Sequence, residues 1–235
     1  MKPSIVLLPA LLCNAGLFIH QIKSLEASYD FFVPETGLET NVGEAARRIL
    51  RQAPDRFVLG GISMGGYIAF EILRQAPERV AGLILMDTNA HSDPPAAQEK
   101  REAMIEKAKT EGIESVIAHA LLDIILPAHR DNEIIRHILT HMAQTIGVEK
   151  YVNQQTLIKT RPDSTDLLAQ ITCPAMIMGG AQDALSPTEA LDKIAEQIPK
   201  SMHVIIENSG HLPPIENPAA VTAAWRIFFE HVGIS

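Results

Sequence analysis

Phe57-Val58-Leu59-Gly60-Gly61-Ile62-Ser63-Met64-Gly65-Gly66 is the stretch that decides how this chain folds. Its first half is apolar at consecutive positions, as a strand buried on both faces requires. After Ser63 the pattern changes, and Ile68, Ile72 and Leu73 recur at helical spacing through residues 67–74. Ser63 therefore stands on a tight strand-to-helix turn. Gly61 and Gly65, two residues before and two after it, remove the Cβ atoms that would crowd such a turn. The turn lifts the hydroxyl above the sheet edge and sets it at a helix N-terminus, where free N–H groups favour developing negative charge. A nucleotide loop is the competing reading, but it wants Gly-Lys-Ser/Thr or Gly-x-Gly-x-x-Gly, and neither is matched.

Outward from this turn, strands alternate with helices. Strand-like runs are expected at 4–8, 29–33, 56–60, 81–86, 175–178 and 202–206, most of them apolar on consecutive positions. Between them lie amphipathic helical patterns, marked by Ala45, Ile49 and Leu50 and by Leu191, Ile194 and Ile198. The last helix opens at Asn217-Pro218, a capping residue followed by proline in the first turn, and runs through Val221, Trp225 and Phe228. This alternation predicts a parallel sheet covered by helices on both faces. Residues 91–161 break it with charged helix formers at 98–109 and apolar helical patterns at 113–126 and 134–146. Asp93-Pro94-Pro95 and Arg161-Pro162-Asp163-Ser164 punctuate the two ends. The expected organisation is a core of residues 1–90 and 163–235 with a helical cap, 91–162, inserted between the fourth and fifth strands.

The 235 residues suit one domain, and 46% apolar composition is that of a globular protein. A formal charge of −8 repels phosphate backbones, so nucleic acid is not an expected partner. No apolar run approaches the ~20 residues that span a bilayer. The apolar residues 5–12 superficially resemble a signal peptide, yet Pro9 interrupts them and their β-branched start suits a buried strand. Cys13 and Cys173 lack metal spacing and are expected to stay reduced in a cytoplasmic protein.

A serine hydroxyl is a poor nucleophile unless a base takes its proton during attack. Of nine histidines, His119, His129, His137 and His141 fall in the cap patterns, His203 in a strand, and His20 and His231 in helices. His211 lies instead in Asn208-Ser209-Gly210-His211-Leu212, a loop after the last strand and so at the same sheet edge as Ser63. The orienting acid should follow another strand at that edge, and Asp183 in Gly179-Gly180-Ala181-Gln182-Asp183 does so. Asp87, after the fourth strand, and Glu207, after the sixth, compete for the role, although Glu207 is too near His211 in sequence to need a folded site. A tetrahedral intermediate also needs two N–H donors at its oxygen. One should be the backbone N–H of Met64 and the other that of Leu11, in the loop after the first strand. No metal or cofactor constellation is present in the sequence, and the expected partner is a small-molecule substrate. The nearest acids to Arg161 are Asp163 and Asp166, which makes a local salt bridge its expected role, with a substrate-carboxylate anchor as the alternative.

Leu8-Pro9-Ala10-Leu11-Leu12, Gly61-Ile62-Ser63-Met64-Gly65-Gly66, residues 179–183, Ser209-Gly210-His211 and Glu216-Asn217-Pro218 occur in an order that resembles the α/β-hydrolase superfamily over essentially the whole chain. Within it, the chain is similar to small capped bacterial members that share motifs with enol-lactone hydrolases and carboxylesterases. Pro9-Ala10 stands where those members usually carry His-Gly. The first strand corresponds to the family's third, so six parallel strands are expected. The resemblance implies hydrolysis of a small carboxylic ester, thioester or lactone through an acyl-serine. The same scaffold also hosts carbon–carbon bond hydrolases, acyltransferases, haloperoxidase-like enzymes and non-catalytic small-molecule receptors.

Overall fold

Helical crossovers join every pair of consecutive strands, and this forces a parallel sheet. The computed structural model describes residues 2–233. Its strands are β1 (Ser4–Leu8), β2 (Asp30–Phe32), β3 (Phe57–Ile62), β4 (Val80–Met86), β5 (Ala175–Gly180) and β6 (Ser201–Ile206). All pair in parallel in the order β2-β1-β3-β4-β5-β6. β2 is shorter than its apolar run because, at the sheet edge, it pairs only with β1, from Ser4↔Asp30 to Val6↔Phe32.

The helices are α1 (Ile19–Leu25), α2 (Val42–Gln52), α3 (Met64–Gln75), α4 (Pro95–Glu111), α5 (Glu114–Ile117), α6 (Glu133–Lys159), α7 (Thr165–Leu168), α8 (Thr188–Gln197), α9 (Pro213–Glu216) and α10 (Pro218–Val232). Alternate strand residues feed two cores. Ile5, Leu7, Val58, Ile84 and Met86 join Leu25, Trp225 and Phe228 on the α1/α10 face. Val6, Leu8, Leu59, Leu83 and Leu85 join Ile49, Ile68, Ile72 and Leu191 on the α2/α3/α8 face. Each of these apolar side chains contributes about 1.5–3 kcal/mol relative to exposure, which is why strands apolar on both faces settle in the middle of the sandwich. Asn217 caps α10 by accepting from the Ala220 N–H, with Pro218 at the first position, as the sequence predicts.

Helices α4 to α7 lie between β4 and β5. The apolar pattern over 113–126 does not form one helix: α5 is followed by a single wide π turn, Ala118–Leu122, which buries Leu121 and leaves Ala120 on a cavity. The pattern that begins at residue 134 runs further than expected, to Lys159, with a bend at Gly147, whose φ of 71° ends one helical segment and starts the next.

Candidate active site

A parallel sheet gathers the loops after all its strands at one edge, and the crossing from β2 past β1 to β3 makes the β1/β3 pair the topological switch point. The β1 loop bearing Leu11 and the β3 loop bearing Ser63 lie there.

Ser63 takes φ 52° and ψ −115°, a conformation that costs an L-residue about 1–3 kcal/mol. Its neighbours over-determine it. The Ser63 N–H donates to the Met86 carbonyl at 2.9 Å, and the Ser63 carbonyl accepts from the Gly66 N–H and the Thr88 hydroxyl, both at 2.9 Å. The turn is closed so tightly that a Cβ on Gly61 would sit 2.5 Å from the Gly65 oxygen, and one on Gly65 would overlap the Leu8 carbonyl. Met64 opens α3, so its N–H is among the four that find no acceptor within the helix. On the other side of the cleft, Ala10 to Cys13 form a turn closed by the Cys13 N–H on the Ala10 carbonyl at 3.1 Å, which leaves the Leu11 N–H outside the turn's own bond. Leu12 has φ 59°, and its N–H donates to Gln154 Oε1 at 3.0 Å.

His211 is buried, and its Nδ1 lies 2.7 Å from Asp183 Oδ2. Burial alone would raise the Asp183 carboxyl. The His211 ring, the Leu185 N–H and Asp87 outweigh burial and hold it below the ordinary carboxylate range. With Asp183 ionised, the bonded Nδ1 must carry the proton, which leaves Nε2 as an acceptor. Asp87, the competing acid, is fully buried beside this pair and does not bond the imidazole. Its Oδ1 accepts from the Gly180 N–H at 2.9 Å. Burial, then the charge of Asp183, push its carboxyl well above the ordinary range, in the opposite direction to Asp183. Asp87, Asp183 and His211 have donor atoms within 4.8 Å of one another, the geometry of a small metal site. These donors are turned on each other and on Gly180, an arrangement that suits a shared proton.

Ser63, Leu11 and His211 line one cavity of about 210 Å³. At ~30 Å³ per water it has room for about seven waters, which fits a small substrate. Ala120, Ile124 and Ile158 from the helical insertion give it apolar walls. Its polar wall is a cluster around Asp93. Arg161 is buried and donates from Nη1 to Asp93 Oδ1 at 2.6 Å and from Nε to the His91 carbonyl at 3.0 Å, while its guanidinium lies 4.0 Å above the Tyr67 ring. Arg101 donates from Nε to Asp93 Oδ2 and from Nη1 to Gln155 Oε1 at 2.9 Å. Burial raises Asp93, but the two arginines more than cancel that and hold its carboxyl low. The expected partners of Arg161 are thus corrected. Asp163 is turned onto the Thr165 N–H at 2.9 Å and faces His91, and Asp166 faces Arg74.

Two further residues hold the site and carry no motif that flags their roles. Gln154 pins the Leu11–Leu12 turn while donating to Thr36 Oγ1 at 3.0 Å. Glu216, wholly buried, accepts from the N–H groups of Gly210 (3.0 Å) and Leu212 (2.9 Å) on either side of His211. It also accepts from the Leu126 N–H (2.7 Å), and His129 Nδ1 lies 3.1 Å away. Glu216-Asn217-Pro218 was visible as part of a resemblance, but not as a clamp. Among the other histidines, His203 pairs with Asp192 and His119 with Asp123, both away from the cavity.

A serine on a strained strand-to-helix turn, an imidazole backed by a buried carboxylate and two backbone donors at one edge of a parallel sheet define the class of α/β-fold ester hydrolases. The chain belongs to the alpha/beta hydrolase family, whose model matches residues 8–225. It is similar to a malate-bound thermophilic esterase from Thermogutta terrifontis (30% identity, TM-score 0.89, 99% of this chain and 91% of that one). It is also similar to a pimeloyl-[acyl-carrier protein] methyl ester esterase from Yersinia enterocolitica (26% identity, 88% of this chain and 85% of that protein). The enol-lactonase from Burkholderia xenovorans shares the fold (20% identity, TM-score 0.84, 98% and 92% covered). No helix among the described residues is long and apolar enough to cross a membrane.

Proposed function

We propose that this enzyme cleaves a small carboxylic ester, thioester or lactone through an acyl-serine, with Ser63 as nucleophile, His211 as base and Asp183 as its orienting acid. The observation that carries the reading is that Ser63 and His211 line one cavity while His211 Nδ1 is held 2.7 Å from a buried, ionised Asp183. His211 Nε2 takes the Ser63 proton as Oγ bonds to the substrate carbonyl carbon. The carbonyl oxygen becomes an oxyanion facing the N–H groups of Leu11 and Met64. The imidazolium returns its proton to the leaving oxygen or sulfur as that bond breaks, and the acyl-serine remains. Water then gives a proton to His211 as its oxygen bonds to the acyl carbon, and His211 passes that proton to Ser63 Oγ as the acyl–Oγ bond breaks, which frees the acid and restores the serine. Residues 91–162 act as a cap in this reading, supported by the cavity walls that Ala120, Ile124 and Ile158 supply. A cytoplasmic setting belongs to this reading, in which Cys13 and Cys173 remain free thiols.

Ser63→Ala is expected to abolish turnover of short p-nitrophenyl esters, and labelling by a fluorophosphonate, while the protein stays folded. Turnover at the wild-type rate would remove Ser63 from the mechanism.

A further inference from the structure

The cavity beside Ser63 holds an unbalanced set of charges. Besides His211, its charged lining is Arg101, Arg161 and Asp93, two guanidinium groups against one carboxylate. Both carboxylate oxygens are spent, Oδ1 on Arg161 and Oδ2 on Arg101. Arg161 uses Nε and Nη1 on His91, Asp93 and Ile158, and Arg101 uses Nε and Nη1 on Asp93 and Gln155. Among the described residues, Nη2 of each arginine has no partner. The Arg161 side chain is only 5% exposed, so this is a largely desolvated cation. Asp93 meets it, but that one carboxylate is shared with Arg101, so the pair keeps one positive charge without an anion of its own. In a chain of net charge −8 the excess positive charge is also a local reversal of sign.

We propose that Arg101 and Arg161 form a carboxylate-binding subsite in the Ser63 cavity, so that the natural substrate is an ester, thioester or lactone carrying a second, free carboxylate. The proposal rests on the ester-hydrolase reading of that cavity and names its substrate class. One surplus positive charge matches a carboxylate monoanion, and a guanidinium presents the planar donors that a carboxylate accepts. Asp93 fixes both arginines in place before substrate arrives, which spares the ordering entropy of two long side chains. The apolar walls from Ala120 and Ile124 suit the hydrocarbon between the two carbonyl groups.

The test compares mono-p-nitrophenyl esters of succinate, glutarate and adipate with uncharged p-nitrophenyl esters of the same acyl length, at low ionic strength. In the wild type, kcat/KM for at least one half-ester is expected to exceed its uncharged counterpart by about 10-fold or more, the size of one charge-assisted hydrogen bond. Arg101→Gln leaves Asp93 paired with Arg161, and should bring that ratio down about 10-fold through KM. Arg101→Lys should keep most of it. A ratio unchanged in Arg101→Gln, both substrates falling together, would overturn the subsite and make the arginine purely structural. Calorimetric titration of glutarate into both proteins separates this from the parent reading. If no ester is turned over, glutarate bound at least tenfold tighter by the wild type keeps the subsite and sinks the hydrolase. Equal or absent binding sinks the subsite.

Discussion

Removing the Glu216 carboxyl should both destabilise the protein and displace His211, in a graded way that the geometry specifies. The side chain is wholly buried and closes three backbone N–H groups: those of Gly210 and Leu212, which are buried, and that of Leu126, which is partly buried. Glu216→Ala orphans all three. At about 1–2 kcal/mol for each unsatisfied donor, the loss is about 3–6 kcal/mol, a large share of the ~5–15 kcal/mol that holds an ordinary domain together. Glu216→Gln keeps the volume. Its amide oxygen can occupy the Oε2 position and still accept from Leu126 and Gly210, but its NH2 then opposes the Leu212 N–H, which binds Oε1 in the wild type. One bond to a charged group is lost, about 1.5–3 kcal/mol.

Urea denaturation followed by the fluorescence of Trp225, the sole tryptophan and fully buried, gives both stabilities. Steady-state kinetics on p-nitrophenyl esters gives the second readout. Because Gly210 and Leu212 flank His211, both variants should lose kcat more than they raise KM, with alanine worse than glutamine. Equal stability losses for the two, or a loss below about 1 kcal/mol for alanine, would refute the clamp. A stability loss with kcat intact would show that Glu216 supports the fold without holding His211.

Two other perturbations test the carboxyl pair and the nucleophile turn. Asp87→Asn can keep the bond from Gly180 and still donate to Asp183, so kcat/KM should stay within a few-fold of wild type, whereas Asp87→Ala should lose tenfold or more. Because the Asp87 carboxyl is raised in the folded state, its contribution is full below the ordinary value of 3.8 and is lost as pH climbs toward the folded value. Wild-type stability should therefore fall relative to Asp87→Asn as pH rises above 3.8, by no more than about 1.4 kcal/mol per pH unit, and denaturation curves that stay parallel as pH rises would contradict a raised Asp87. At the turn, Gly65→Ala should cost about 3 kcal/mol or more and abolish fluorophosphonate labelling, because its Cβ meets the Leu8 backbone. Gly147→Ala, with open space around it and only its φ of 71° to strain, should cost about 1–2 kcal/mol, as urea denaturation will show.

What the sequence made legible is what repeats or what glycine marks. Consecutive apolar residues in β1, β3, β4 and β5 announce strands covered on both faces, and the order of the loops after them follows from parallel topology. Ser63 and His211 line one cavity and Asp183 bonds His211, because each stands just past a strand end, a position that can be counted along the chain. Asp183 and Asp87 could not be separated by counting, since both follow strands at the same edge. Only the bond from His211, and the burial that pushes the Asp87 carboxyl up while that of Asp183 is held low, separate the two.

The supporting contacts obey no such rule. Gln154 reaches Leu12 across 142 residues, Glu216 reaches Leu126 across 90, and Arg161 reaches Asp93 across 68. Asp163 and Asp166 are the acids nearest Arg161 along the chain, yet Asp163 turns back on Thr165 and Arg161 is left for the cavity wall. The first two contacts join the helical insertion to the core, at the β1 loop and the His211 loop, and the third ties the two ends of the insertion together. The insertion thus helps set the β1 loop, the His211 loop and the charge of the pocket together. Swapping it between relatives should therefore alter turnover as well as substrate choice, because no boundary separates a catalytic core from a specificity cap.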